Sequence, residues 1–257
     1  MNYLQGLYKI EMKREIADGV FDMYINAPQL TDAKAGQFLH IKPHGLPLRR
    51  PMEICETIPE QGLIRIVFEV KGSGTKELSE LEKGDKIDIL GPLGNGFELL
   101  PKLKKALFVG GGTGVCSLLE AAKHYKNNAA AILGFKSVGS VLLENDFNLI
   151  GVKTFITTND GSYGEKGNST DMLEQLLKAA KFDIVYACGP NEMLKTVAEI
   201  TAKAKVKCQV SLEEKMGCGV GACHICVCKT KHGADNTEKY TRVCCDGPVF
   251  EAERVVF

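Results

Sequence analysis

The sequence has no tryptophan, no surplus of either charge and no apolar run of membrane-spanning length. The last absence argues against a transmembrane helix, which needs about 20 consecutive apolar residues. Lysine plus arginine equals aspartate plus glutamate, 32 each. There is thus no basic excess to suit a nucleic-acid backbone and no acidic tail of the solvating kind. The opening MNYLQGLYKIEMKREI reaches acidic and basic side chains almost at once. It lacks the apolar stretch and small-residue cleavage site of a secretory signal, so the expected compartment is the cytoplasm. Internal repeats and low-complexity tracts are missing as well. With 44% hydrophobic residues in a chain of 257, an ordinary core is expected, split between two domains and a small appendage.

Residues 1–99 read as strands. VFDMYINA sets Phe21, Met23 and Ile25 against Asp22 and Asn26, and GLIRIVFEV sets Ile64, Ile66, Phe68 and Val70 against Arg65 and Glu69; KIDIL is a shorter apolar strand. Glycine and proline turns (KPHGLP, PEQG, KGSG, EKGD, GPLGNG) divide them. Period-two segments cut by turns predict a small antiparallel barrel or sandwich with no helix of normal length. The pattern changes over 100–207. ALFVGGGTG, AAAILGF, VKTFITTN and FDIVYACGP are apolar strands, and helical runs are expected over 115–125, after an Asp171–Glu174 capping pair, and over 191–205. Alternation of this kind predicts an α/β domain with a parallel sheet.

Residues 208–257 form a third region, rich in cysteine and glycine. Cys55, Cys116, Cys188 and Cys208 are scattered and read as buried structural thiols. Cys218, Cys223, Cys226, Cys228, Cys244 and Cys245 crowd the end of the chain. A disulfide framework suits short secreted proteins; in a reducing compartment, crowding favours metal ligation. CGVGACHIC has the C-x4-C-x2-C spacing of plant-type 2Fe-2S centres, which take a distant fourth cysteine. Zinc is the rival, but structural zinc sites use paired C-x2–4-C knuckles, and here the second half offers only the adjacent pair Cys244–Cys245. Spacing alone does not choose between those two. Gly217, Gly219 and Gly221 either bring amides onto the sulfurs or permit positive φ. His224 would need a second histidine to act as a Rieske-type ligand, and reads as surface. An iron–sulfur centre passes single electrons, so a group that divides electron pairs, such as a flavin, is expected elsewhere in the chain.

Gly110 to Gly114 follow a strand and precede a helix, where amides cradle a pyrophosphate. The loop is not GxGxxG, and no acidic ribose partner follows, so a tight structural turn is an equal reading. Thr113 is a candidate helix cap in either case. Cys188, Gly189 and Pro190 end a strand on the sheet edge where ligands sit; Cys188 faces a ligand or fills the core. In the first region, Arg50 would neutralise a phosphate and Gly72 and Gly74 would bring amides to it, against the alternative of a surface arginine and a plain turn.

The order RRPxx, KGxGT, GPLGNGF, GGGTG, DGSYGxKG, CGPxxM and SLEExMxCGxGACxxCVC, closing with VCxDGPVF, resembles the electron-transfer subunits of the NAD-dependent class of dihydroorotate dehydrogenase, within the ferredoxin–NADP reductase superfamily. The resemblance spans nearly the whole chain. It implies FAD on the barrel beside Arg50, Pro51, Met52 and Glu53, with Val67, Phe68, Glu69, Gly74 and Thr75 as further contacts. It implies NAD across Gly111, Gly112, Thr113 and Gly114 and near Cys188, Gly189 and Pro190. It implies a 2Fe-2S cluster on Cys218, Cys223, Cys226 and Cys244, Cys244 being chosen because the ligand precedes the xDGPVF ending. Glu53 and Cys188 are the implied catalytic positions. The implied role, in pyrimidine biosynthesis, is to carry electrons from a separate FMN-bearing catalytic subunit through the cluster and FAD to NAD, in a heterotetramer of two copies of each subunit. One position departs from the family: relatives have serine or threonine at Glu53, where the hydroxyl approaches the flavin N5 region. An ionised carboxylate there would repel a reduced flavin, which leaves room for a different redox partner fed from NADH or NADPH. Lys136, after the second strand of the α/β region, is either a 2′-phosphate contact or a solvated lysine.

Overall fold

The computed structural model describes residues 3–257. Six strands close an antiparallel barrel: β1 (Leu4–Ala17), β2 (Val20–Asn26), β3 (Phe38–Lys42), β4 (Arg50–Ile58), β5 (Leu63–Glu69) and β6 (Lys86–Leu93), in the order β1-β2-β5-β4-β3-β6. Alternation sorts their side chains. Leu39 and Ile41 of β3, Met52 and Ile54 of β4, and Ile64, Ile66 and Phe68 of β5 fill the barrel. Their neighbours point outward, and three of them pack elsewhere: Phe38 against the C-terminal segment, Cys55 and Val67 against the α/β domain. The outer wall of β3, β4 and β5 is therefore the surface on which the rest of the molecule sits.

The barrel region does contain a helix, contrary to the sequence expectation. KGSGT is the start of α1 (Ser73–Glu80), capped at Gly72, and the Thr75 hydroxyl accepts the amides of Lys71 and Gly72 at 2.9 and 3.2 Å. Two glycines and a serine carry little helix propensity; the cap and the burial of Leu78 supply what propensity lacks.

The second layer comprises β7 (Ala106–Gly111), α2 (Cys116–Tyr125), β8 (Ala129–Phe135), α3 (Glu144–Leu149), β9 (Lys153–Thr158), β10 (Glu165–Lys166), α4 (Ser169–Ala179), β11 (Ile184–Cys188), α5 (Asn191–Ala204) and β12 (Lys207–Ser211). Their strands run parallel in the order β10-β9-β8-β7-β11-β12. The order reverses at β7, which lies between β8 and β11. In such sheets ligands bind beyond the carboxyl ends of the strands at this reversal, where Gly111 to Gly114 and Cys188 to Pro190 stand. Two local expectations are corrected. The cap of α4 is Asn168, whose amide donates to the Asp171 carboxylate at 3.2 Å, one turn ahead of the expected Asp171–Glu174 pair. Thr113 caps nothing, because a 3-10 turn over Gly112–Val115 leads directly into α2.

The chain continues through β13 (Val227–His232), β14 (Thr237–Arg242), β15 (Val249–Glu251) and β16 (Val255–Val256). β13, β14 and β16 make a small antiparallel sheet, so the polar stretch KTKHGADNTEKY is a hairpin. β15 adds antiparallel to β12, pairing Ser211 with Val249, and thereby extends the large sheet.

Charge joins the barrel to the sheet domain. Arg65 of β5, 2% exposed, donates to both carboxylate oxygens of the fully buried Asp22 at 2.8 and 3.1 Å. It also pairs with Glu56 at 3.2 Å and with Asp146 of α3. Lys123 of α2 reaches Glu56 at 2.7 Å, and the Thr57 amide donates to Glu120 at 2.9 Å.

Candidate functional site

The cysteine segment follows β12 and turns back on the barrel. Three amides, of Val220, Ala222 and Cys223, point at the Cys218 sulfur at 3.3–3.4 Å, and the Cys218 amide points at Cys223 Sγ at 3.4 Å. Burial would raise the Cys218 thiol, but these amides outweigh it and bring its pKa down to about 7. The Cys244 amide donates to Cys226 Sγ at 3.4 Å, and both residues are buried, 1% and 2% exposed. The sulfurs thus form two couples, Cys218 with Cys223 and Cys226 with Cys244. Among the described residues no three of these sulfurs lie within 4.8 Å of one another. A single zinc ion with about 2.3 Å bonds would need all four gathered more tightly than that. The glycines serve both roles the sequence allowed. Gly219 and Gly221 hold φ of +74° and +83°, and a Cβ at Gly221 would stand 2.7 Å from Cys245 Sγ. Cys228 is half-buried, with burial raising its thiol to about 11, and His224 is exposed.

The barrel supports both halves of this segment. The Asn95 side chain donates to the carbonyls of Cys245 and Asp246 at 3.0 and 3.1 Å. On the other half, His40 of β3 is fully buried against the loop: a Cβ added to Gly219 would meet His40 Nδ1 at 2.5 Å. Burial, with the Arg49 charge second, lowers the His40 pKa to about 4. His40 does not stand out in the sequence as His224 does, because nothing near position 40 announces a loop so distant in the chain.

Glu53 projects from the outer face of β4 into the gap between barrel and sheet. Its carboxylate accepts from the Ser117 hydroxyl of α2, and the Cys188 thiol donates to it at 3.5 Å. Ser117 and Cys188 are themselves 3.3 Å apart. One carboxylate oxygen each from Glu53 and Glu213 and the Cys188 sulfur lie within 4.8 Å of one another. Burial first, and the Glu213 charge second, raise the Glu53 pKa to about 7. Burial and the Glu53 charge push the Cys188 thiol well up, so it is a neutral donor and not a thiolate. Cys188 thus faces the Glu53 carboxylate from a fully buried position, and Glu53 turns inward.

A cleft of about 740 Å³ opens beside this centre, lined on the barrel side by Val20 and Glu69 and on the sheet side by Gly111, Gly112, Thr113, Lys136 and Pro190. Gly114, next to Thr113, is buried, and a Cβ there would come within 2.6 Å of the Cys188 carbonyl; no side chain fits at that approach. Gly189 is buried at the end of β11. Around the barrel rim, the Arg50 guanidinium lies over the amino end of α1, where a Cβ at Gly74 would stand 2.4 Å from Arg50 Nε. A cation beside a helix amino terminus is an arrangement that can hold an anion. Pro51, next to Arg50 on β4, is half-buried. The Met52 and Phe68 side chains are inside the barrel, Phe68 stacked on Phe21 at 5.7 Å, and so offer only their backbones to a ligand.

A barrel, a parallel sheet with a glycine cleft and a terminal cysteine segment define a redox protein of the ferredoxin-reductase architecture. The chain covers 98% of its length on 90% of a chain from the structure of NADH-dependent reduced ferredoxin–NADP oxidoreductase, with TM-score 0.87 and 35% identity. A cytochrome P450 reductase of Amycolatopsis shares the fold at TM-score 0.68 and 19% identity, over 79% of this chain and 67% of that one. The family described as the iron-sulfur cluster binding domain of dihydroorotate dehydrogenase B matches residues 213–256. Proteins named dihydroorotate dehydrogenase B (NAD(+)), electron transfer subunit, are 42% identical in Geobacillus thermodenitrificans, over 95% of each chain, and 43% identical in Caldanaerobacter subterraneus, over 97% of each. The chain belongs to this family of electron-transfer subunits. No helix among the described residues is long and apolar enough to cross a membrane.

Proposed function

We propose that this chain carries electrons between a partner catalytic subunit that oxidises dihydroorotate and NAD, using FAD on the barrel (1–99), NAD in the α/β region (100–207) and a 2Fe-2S cluster in the terminal segment (208–257). The observation that carries the reading is the division of four thiols into two couples with amides aimed at their sulfurs, since a two-iron cluster takes two protein thiolates on each iron. Cys218 and Cys223 would hold one iron, Cys226 and Cys244 the other. The flavin, when bound, exchanges a hydride with the nicotinamide and single electrons with the cluster.

The residues of the chain do the rest. Arg50 and the amino end of α1, with Gly74 and Thr75, bind a pyrophosphate. Pro51, Val67 and Glu69, with the backbones of Met52 and Phe68, line the flavin face. Gly111, Gly112, Thr113 and Gly114 admit the dinucleotide to the floor of the cleft, with Gly189 and Pro190 closing its far side. Cys188, a buried neutral thiol, orients the Glu53 carboxyl and keeps water from it. Glu53 holds or releases a proton near neutral pH.

A second reading keeps the cofactors and changes the partner: an NAD(P)H-oxidising subunit that feeds another redox enzyme. Glu53, in place of the family's hydroxyl, and the 35% identity to a chain of the ferredoxin–NADP oxidoreductase structure favour it. Copurification from native cells decides. An FMN protein that oxidises dihydroorotate supports the first reading, any other redox enzyme supports the second, and an isolated protein with neither flavin nor acid-labile sulfide defeats both.

A further inference from the structure

The barrel wall carries one buried group that the proposed function leaves unused. His40 is 0% exposed, and neither ring nitrogen reaches a partner at hydrogen-bonding geometry. A buried polar group without a partner is costly to keep, so such a histidine calls for a reason. Its surroundings supply one. Strand alternation turns His40 out of the barrel, on the face it shares with Phe38, while Leu39 and Ile41 point in. On β4 it stands directly opposite Pro51, in the strand proposed to line the flavin. On the other side it touches the cysteine loop. The ring occupies the space that a side chain at 219, next to Cys218, would fill. Arg49 anchors the strand at this point: it donates to the His40 carbonyl at 3.1 Å and grips both Asp88 carboxylate oxygens of β6 at 2.9 Å.

We propose that His40 is a positioning residue that seats the Cys218–Gly219 corner of the cysteine loop on the flavin strand of the barrel, fixing the separation between the cluster and the flavin. This rests on the proposed cofactors. His40 gains and loses neither electron nor proton in this role; no bond forms or breaks at it. Its ring fills the gap between β4 and the loop, and the glycine at 219 is the other half of the fit. A distance held by a packed ring between two rigid elements is the kind of outer-layer support whose loss costs about 10–100-fold in metal affinity or activity.

The test compares wild type, His40→Leu and His40→Gln as full-length proteins. Leucine replaces the flat ring with a branched side chain that does not match the fit against Gly219; glutamine keeps a flat end of similar reach. Three quantities are read: hydrogen exchange of residues 217–223 in cluster-free protein, the rate of iron loss to a chelator in loaded protein, and the midpoint potential of the cluster by EPR-monitored titration. For His40→Leu, exchange and iron loss are expected to rise about tenfold or more and the potential to move, with the melting temperature and FAD content held. His40→Gln should recover most of the loop protection. Gly219→Ala, which drives a methyl into the ring, should reproduce the leucine effect. A His40→Leu protein with unchanged exchange, iron loss and potential overturns the proposal. So does a variant that melts early with every region exchanging faster, because that marks a general core residue. Wild-type protein lacking iron and sulfide overturns the cofactor reading and this inference together, whereas loaded wild type with an indifferent leucine variant overturns only the inference.

Discussion

The Cys188 thiol, at the end of a sheet strand, donates to the Glu53 carboxylate on the barrel wall across 3.5 Å. The contact places a titrating carboxyl where the two large units of the molecule meet. Its pKa, raised from the ordinary 4.5 to about 7, links the closeness of that meeting to pH. The folded protein binds this proton more tightly than the unfolded chain does. The resulting stability is complete below pH 4.5 and is lost as the pH rises through 7.

Glu53→Gln carries the neutral form permanently and is expected to escape that loss. In flavin-free protein its melting temperature should exceed that of wild type at pH 8, and the difference should shrink or reverse at pH 5. Each tenfold difference in proton affinity is worth about 1.4 kcal/mol, and about 1 kcal/mol moves a domain of this size by roughly 2–4 °C. Melting curves that stay parallel across the range would reject the assignment.

The return cysteines should separate cleanly. The Cys244 amide is bonded to Cys226 Sγ, whereas Cys245 Sγ lies against Gly221. Cys244→Ser is expected to lose most iron and acid-labile sulfide; Cys245→Ser should retain most of both. Equal loss from the two would remove Cys244 from the ligand set.

Arg65 is one of the charges that join the units, with Asp22, Glu56 and Asp146 around it. Arg65→Leu leaves the buried Asp22 with Arg14 alone, at 2.9 Å and on the exposed side. Breaking a buried pair from one side costs about 3–5 kcal/mol. Urea unfolding should register that loss, and a variant within about 1 kcal/mol of wild type would mean that the network contributes little.

Arg50→Ala tests the anion site at α1. A hydrogen bond to a charged group contributes about 1.5–3 kcal/mol, so FAD affinity, measured by titrating flavin-free protein, should fall at least about tenfold. Iron content should hold, because the Arg50 guanidinium donates to the Leu48 and Arg49 carbonyls and not to the cysteine segment. Unaltered FAD affinity would move the phosphate elsewhere.

Much of the architecture was legible in residue order. Period-two alternation marked β2 and β5, apolar runs marked β7, β8, β9 and β11, and the C-x4-C-x2-C spacing marked the cysteine loop. The longest strand, β1, did not stand out: register shifts between Ile10 and Met12 and between Glu15 and Ala17 break its alternation. The helix α1 was hidden by the glycines that make its amino end useful. The two relationships that matter most for chemistry were not readable locally. Glu53 meets Cys188, and His40 meets Gly219, only because the outer barrel wall becomes the floor for everything after it. No short-range pattern encodes a meeting between distant segments.

The pairing of Ser211 with Val249 has a consequence for how charge can leave the molecule. The intervening stretch departs from and returns to the two sides of one rung, drawn shut like a purse at its neck, with Asn95 tethering Cys245 and Asp246 just before the return. It cannot swing on a stalk. Any redox partner has to come to it, and the transfer rate is set by a docking geometry rather than by the reach of a mobile arm.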